Sequence, residues 1–239
     1  MTFAEHLPRD FVDLAPTRPS TVVRSETLRL WQAFAPLPPE HRRQALASGV
    51  VETVKAGELL LDAGGVTVVV SGCLATFVMN TGVAAEILGP GGWVVSGGSR
   101  PVRGQWITDG EIYRVALEDW RARSGPEGLV HLLEAADNRR VVLERRLICA
   151  VRHLSTARVA DLFLAVHEAV PGLEIQMSQE QVGGLLSLRR TTVNASCRLL
   201  EQDGGSRTRR GKVRVVDAAR LALTACGCRQ FSRLELAAA

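Results

Sequence analysis

Ser178-Gln179-Glu180-Gln181-Val182-Gly183-Gly184-Leu185-Leu186-Ser187-Leu188-Arg189-Arg190-Thr191-Thr192-Val193-Asn194 holds two short amphipathic periods separated by a three- or four-residue turn. The first opens as a capping box does: the Ser178 hydroxyl can serve one backbone N–H, and Gln181, three residues on, can reach back. Val182, Leu185 and Leu186 supply its apolar face. The second period, Val193, Cys197, Leu199 and Leu200, follows a first turn of cations and hydroxyls. Two helices joined this closely predict a helix-turn-helix, whose second helix would enter a DNA major groove with its N-terminal residues against base edges. An arginine there can grip guanine O6 and N7 with both fork nitrogens, and a threonine can touch a thymine methyl or a phosphate.

Immediately downstream, Arg207-Thr208-Arg209-Arg210-Gly211-Lys212-Val213-Arg214-Val215-Val216 alternates charge with smaller or apolar residues around a glycine. That pattern predicts a two-stranded wing lying along phosphate. Between Ser178 and Val216 eight cations face three anions, a net charge of +5, whereas the whole chain carries only +4. The basic surplus is therefore confined to this segment.

Upstream, Leu129, Leu132, Leu133, Ala136, Leu143, Leu147, Val151 and Leu154 recur at helical spacing, interrupted at Arg139-Arg140. They predict one long helix with an apolar seam that either packs on its own domain or pairs two chains. Ser155 is the expected N-cap of the next helix, Thr156 to Ala169, which Pro171-Gly172 ends. From Val50 to Val115 the texture is different: Val50 to Val54, Leu59 to Leu61, Val66 to Val70, Cys73 to Met79, Ala84 to Leu88, Trp93 to Val95, Gln105 to Ile107 and Ile112 to Val115 alternate with glycines. Short strands at near-regular spacing predict a sandwich or small β-roll. Two amphipathic helices, Glu26 to Ala35 and Glu40 to Ser48, precede them. The expected fold is α+β, divided into an arm over 1–25, a β-roll over 26–125, a dimerisation helix over 126–154 and a winged helix-turn-helix over 155–239.

The chain has 239 residues, 46% of them hydrophobic, enough for two ordinary cores. No apolar run approaches the roughly 18 residues that cross a bilayer, and the first ten residues lack a secretory pattern. Five scattered cysteines (Cys73, Cys149, Cys197, Cys226 and Cys228) predict a reducing compartment, and the expectation is a cytoplasmic protein away from membranes.

Taken together, the residues from Ser178-Gln179-Glu180 through Arg189-Arg190-Thr191-Thr192-Val193 to Arg210-Gly211-Lys212-Val213-Arg214-Val215-Val216-Asp217 resemble the Crp/Fnr superfamily of bacterial regulators. The order of parts agrees from about Glu26 onward. The resemblance implies a homodimer on palindromic double-stranded DNA, with RNA polymerase a candidate partner. Arg190, Thr191 and Asn194 would face bases. Ser178, Gln179, Arg189, Thr192, Arg207, Arg209, Arg210 and Lys212 would meet the DNA backbone. Leu129, Leu132, Leu133, Ala136, Leu143, Leu147 and Val151 would form the dimer interface. Three departures stand out: the turn position that is commonly glycine is Ser187, Asp203-Gly204-Gly205-Ser206 lacks an apolar pair before the wing and so predicts a mobile wing, and a third base-reading position falls at Ala195.

Family members that bind cyclic nucleotide use a glutamate for the ribose and an arginine for the phosphate. Here the corresponding stretch runs from Gly89 to Arg103, and Trp93 or a neighbour, none acidic, takes the glutamate position. Trp93, Ser96, Arg100 and Arg103 are left as a candidate effector pocket for an unknown small molecule, with no cyclic nucleotide and no other cofactor expected. The glycines match neither a Walker loop nor a dinucleotide fingerprint. With no cysteine before Cys73, an N-terminal iron-sulfur switch is not expected. Cys226 and Cys228, without a nearby histidine in the sequence, read as a reduced pair and at most half a zinc site, so no metal is expected. Cys73 and Cys149 read as packed hydrophobes or redox-sensing thiols. No catalytic constellation is visible, and the expectation is a protein that is not an enzyme. The alternatives are a ligand- or thiol-responsive regulator, and a small-molecule or protein-interaction module that does not bind DNA.

Overall fold

A computed structural model of the chain describes residues 30–34, 37–62, 64–78, 81–97 and 101–229. The arm over 1–25 lies outside them, as do Arg100 and most of the helix expected at Glu26 to Ala35, of which residues 30–33 are helical. Helix α1 (Pro39–Leu46) leads into eight strands: β1 (Val50–Val54), β2 (Leu59–Asp62), β3 (Gly65–Ser71), β4 (Leu74–Phe77), β5 (Ala84–Leu88), β6 (Trp93–Val95), β7 (Val102–Trp106) and β8 (Gly110–Ala116). They form two antiparallel four-stranded sheets, ordered β1-β8-β3-β6 and β2-β7-β4-β5. This is the expected β-roll.

Alternation along the strands fills two layers. Val54, Leu60, Val69, Leu74, Val94, Trp106 and Ile112 pack between the sheets. Val66, Val68, Tyr113 and Val115 look the other way, onto helices, with Phe34, Leu37, Trp120 and Leu132. The Tyr113 hydroxyl pins this layer by donating to the Leu46 carbonyl at 2.6 Å and accepting from Gly49 N–H at 2.8 Å.

Helix α2 (Leu117–Arg123) and the 28-residue α3 (Gly125–Arg152) follow. At 1.5 Å per residue α3 spans about 42 Å, unbroken at Arg139-Arg140. It ends at His153, whose ψ of 143° turns the chain into α4 (Ser155–Ala169). Ser155 is thus the first residue of α4, and Leu154 stands at the N-cap without a side-chain bond. Helices α5 (Gln179–Leu186) and α6 (Arg190–Gln202), strands β9 (Ser206–Arg209) and β10 (Lys212–Val215), and α7 (Ala218–Thr224) complete the C-terminal domain. Its core gathers Val159, Leu162, Phe163, Val166, Ile175, Val182, Leu186, Val193, Leu200, Val213 and Leu221. Among the described residues, no helix is long and apolar enough to cross a membrane.

Candidate nucleic-acid interface

The capping box at the start of α5 forms as its sequence requires. Gln181 N–H donates to Ser178 Oγ at 3.2 Å, and Ser178 N–H donates to Gln181 Oε1 at 2.8 Å. At the other end Ser187 is the single non-glycine residue with positive φ among the described residues, at φ 53° and ψ 47°. A side chain in this left-handed well costs about 1 kcal/mol relative to glycine. The turn closes through Leu188 N–H to the Gly183 carbonyl at 2.8 Å. It closes so tightly that a Cβ on Gly183 would lie 2.6 Å from the Leu188 carbonyl oxygen. The glycine that this turn cannot replace is therefore Gly183, four residues before the position the family usually fills with one. Arg158 of α4 holds the same corner by donating to the Leu186 carbonyl at 2.5 Å.

Helix α6 buries Val193, Ser196, Cys197 and Leu200 and exposes Arg190, Thr191, Ala195 and Arg198, with Thr192 and Asn194 half-buried. Arg190, Asn194 and Arg198 are spaced by four residues and so share one face. Gln179 Nε2 donates to Asn194 Oδ1 at 3.3 Å, which orients the Asn194 amide from α5. The N-cap, Arg189, offers no side-chain acceptor, so the first-turn N–H groups of α6 point outward uncapped. Arg198 was not singled out from the sequence, although its spacing from Arg190 and Asn194 was the available signal.

The wing pairs Arg209 with Lys212, Thr208 with Val213, Arg207 with Arg214 and Ser206 with Val215. Its buried face holds Ser206 and Val213. Its exposed face sets cation directly opposite cation twice, an arrangement that destabilises an isolated hairpin. Gly211, with φ 72°, makes the turn. Lys212 also reaches Glu174 at 3.5 Å. Three contacts tie the wing to its surroundings: Ile175 and Val213 exchange two backbone hydrogen bonds of 2.8 Å, Thr208 N–H donates to the Glu201 carboxylate, and Val216 N–H donates to the Gly205 carbonyl at 3.0 Å. Backbone pairing to neighbouring segments replaces the missing apolar pair. Between α6 and the wing lies a groove of about 500 Å³ lined by Ser178, Gln179, Arg190, Asn194, Arg198, Arg209 and Arg210, among others.

The seam residues of α3 divide. Leu129, Leu133, Ala136, Leu147 and Val151 are exposed, with Leu147 at 67% and Val151 at 78%, and Leu143 is half-buried. Leu132, grouped with them from spacing, instead turns into the roll's helix-facing core. Leu154, at 81%, extends the exposed stripe.

Of the four candidate effector residues, Trp93, Ser96 and Arg103 lie among the described residues. Trp93 sits in an aromatic cluster, its ring centroid 4.9 Å from that of Phe34, 5.4 Å from Trp120 and 4.6 Å from His131, and its indole N–H donates to the Ala33 carbonyl at 3.0 Å. Ser96 is buried and accepts from Gly65 N–H at 3.2 Å. Arg103 is exposed on β7, in the opposite sheet. Trp93 and Ser96 are thus packed and hydrogen-bonded within the fold, whereas Arg103 presents an exposed cation on the other sheet.

The thiols also sort themselves. Cys73 is fully buried, and that burial pushes its thiol up to about 12. Cys197 is raised in the same direction, also by burial. Cys226 and Cys228, expected to lack a histidine, have one: Cys228 Sγ lies 3.4 Å from His153 Nδ1, and Cys226 Sγ lies 3.5 Å from Cys149 Sγ. Some 75 residues separate these partners, which hid the cluster from spacing arguments.

The fold and groove together define a winged helix-turn-helix protein with a β-roll partner domain. A family model for the Crp-like helix-turn-helix domain matches residues 157–224. A putative Crp/Fnr-family regulator of Eubacterium rectale has a similar structure, with TM-score 0.63 and 16% identity over 82% of this chain and 98% of that one. FixK2 of Bradyrhizobium japonicum aligns with TM-score 0.61 and 18% identity over 74% of this chain and 98% of its own. A Crp/Fnr-family regulator of Thermus thermophilus gives 0.59 and 19% over the same shares. No curated protein matches the chain in sequence. The C-terminal domain is a Crp-like helix-turn-helix domain, and the chain carries the fold of the Crp/Fnr transcription regulators.

Proposed function

We propose that this chain is a homodimeric, sequence-specific DNA-binding transcription regulator of cytoplasmic location that works without cyclic nucleotide and without enzymatic activity. The observation that carries this reading is the groove between α6 and the wing, lined by Arg190, Asn194 and Arg198 of the helix and by Arg209 and Arg210 of the wing, beside the wing's two like-charged cross-strand pairs, Arg209 with Lys212 and Arg207 with Arg214. Like charges set opposite one another are stabilised by a polyanion, and an uncapped helix N-terminus is a ready phosphate site. Arg190, Thr191 and Asn194 read base edges. Arg189, Thr192, Ser178 and Gln179 fix the helix on the backbone, while Arg207, Arg209, Arg210 and Lys212 follow phosphate along the wing. The exposed stripe of Leu129, Leu133, Ala136, Leu143, Leu147 and Val151 pairs with its copy in a second chain, because a row of exposed leucine and valine this long is stabilised by burial. Two reading helices related by a two-fold axis then require a palindromic site. RNA polymerase is a partner by analogy with regulators of this fold.

The roll interior supports a ligand-free reading, since Trp106, Ile112, Leu74 and their neighbours occupy the space between the sheets. The experiment is selection of random duplex DNA by the purified chain with no effector added. An enriched palindrome with half-sites about one helical turn apart is expected. Absence of enrichment, with or without cell-extract small molecules, overturns the reading.

A further inference from the structure

Cys149, His153, Cys226 and Cys228 place four ligand atoms within 4.8 Å of one another, at the joint between α3 and the C-terminal domain. Cys149, in the last turn of α3, and His153, its C-cap, stand four residues apart on one side of the helix end, with His153 N–H donating to the Cys149 carbonyl at 3.2 Å. The other two come from the loop after α7. Gly227, with φ 71°, lets Cys226 and Cys228 turn toward one point from positions two residues apart. The loop is anchored on both sides of the thiols: Cys226 N–H donates to the Ala157 carbonyl at 3.3 Å, and Arg229 pairs with the buried Asp161 and with Glu168, each at 3.0 Å. Both halves of the cluster are therefore positioned by the fold.

We propose that these four residues form a Cys3His zinc site that clamps the DNA-binding domain to the long helix. Zinc takes thiolate and imidazole ligands tetrahedrally, with Zn–S near 2.3 Å, which puts tetrahedral sulfur atoms about 3.8 Å apart. The 3.5 Å Cys149–Cys226 and 3.4 Å Cys228–His153 separations match a single ion at that centre. A disulfide would use two of the four groups and leave His153 and Cys228 unexplained. Thiol hydrogen bonds are weak and give little reason to gather three sulfurs and an imidazole in one place. Binding releases the thiol protons, so three Cys–S–Zn bonds and one His Nδ1–Zn bond form as protons pass to solvent. The site goes beyond DNA reading and stands even without it. Its position at the His153-Leu154 joint makes the orientation of α6 relative to α3 depend on the ion.

The test is metal analysis of the purified full-length chain, together with cobalt titration of the chelator-treated chain. One zinc per chain is expected, with the thiolate charge-transfer and intense visible bands of tetrahedral cobalt appearing to one equivalent. Cys228→Ser and His153→Ala should lose the metal, while Cys73→Ser keeps it. Hydrogen exchange near residues 150–155 and 224–229 should rise when zinc is removed, a readout independent of any variant. Iron with a visible cluster chromophore, a Cys149–Cys226 disulfide in metal-free protein, or absence of cobalt binding each overturns the proposal. Failure of the metal test leaves the DNA-binding reading standing, since DNA selection tests that reading separately.

Discussion

The interior of the β-roll and the groove of the C-terminal domain are built on opposite principles. Between the sheets, Trp106, Leu74, Val69, Val94 and Ile112 bury apolar surface against one another. In the groove, Arg190 and Arg198 stand exposed on one helix face opposite Arg209 and Arg210 of the wing. The first region is stabilised by what it contains, whereas the second holds groups that favour an external polyanion. On the proposed reading the contrast locates specificity: recognition belongs to the basic domain, with the packed roll as its support.

The largest effect that sharpens this comparison is on the roll. Trp106→Ala removes a side chain that is 2% exposed and should destabilise the fold by about 3–5 kcal/mol, measured by denaturant unfolding, with DNA affinity of the folded protein unchanged. A loss of affinity without loss of stability would break the division between support and reader. Next, Arg190→Ala should cost about 1–3 kcal/mol on the selected site and relax one base position, read by competition against single-base variants. Uniform weakening instead would move Arg190 to the backbone. Arg209→Ala should weaken binding evenly across sequences and lower the salt slope by about 1 per protomer. A base-specific change there would make the wing a reader. The smallest effect is Ser187→Gly, which should stabilise the domain by about 0.5–1 kcal/mol in thermal unfolding by relieving the left-handed serine. No gain would mean the Ser187 hydroxyl offsets the strain.

What the sequence made legible follows periodicity and local chemistry. The capping box, the turn at Ser187, the wing with Gly211 and seven of the eight roll strands within a residue or two all depend on neighbours a few positions apart. Strand β7 was expected to start at Gln105 but begins at Val102 and runs through Arg103 and Gly104. In the sheet Gly104 is required, since a Cβ there would lie 2.6 Å from the Ala75 carbonyl oxygen. The short helices α2 and α7 carried only weak local signals, Glu118 and Asp119 in one first turn and the Asp217 cap of the other. Leu132 shares helical spacing with the exposed stripe, and only packing against the roll distinguishes it. The cysteine and histidine cluster lay beyond any local rule, as it joins a helix end to a loop some 75 residues away.

The most direct measurement of the central claim is the salt dependence of binding by the full-length chain to its selected duplex. With Arg189, Arg207, Arg209, Arg210 and Lys212 on phosphates in each of two protomers, log affinity should fall against log salt with a slope of about −9. A slope near zero would contradict a DNA interface and leave the C-terminal domain as a docking surface.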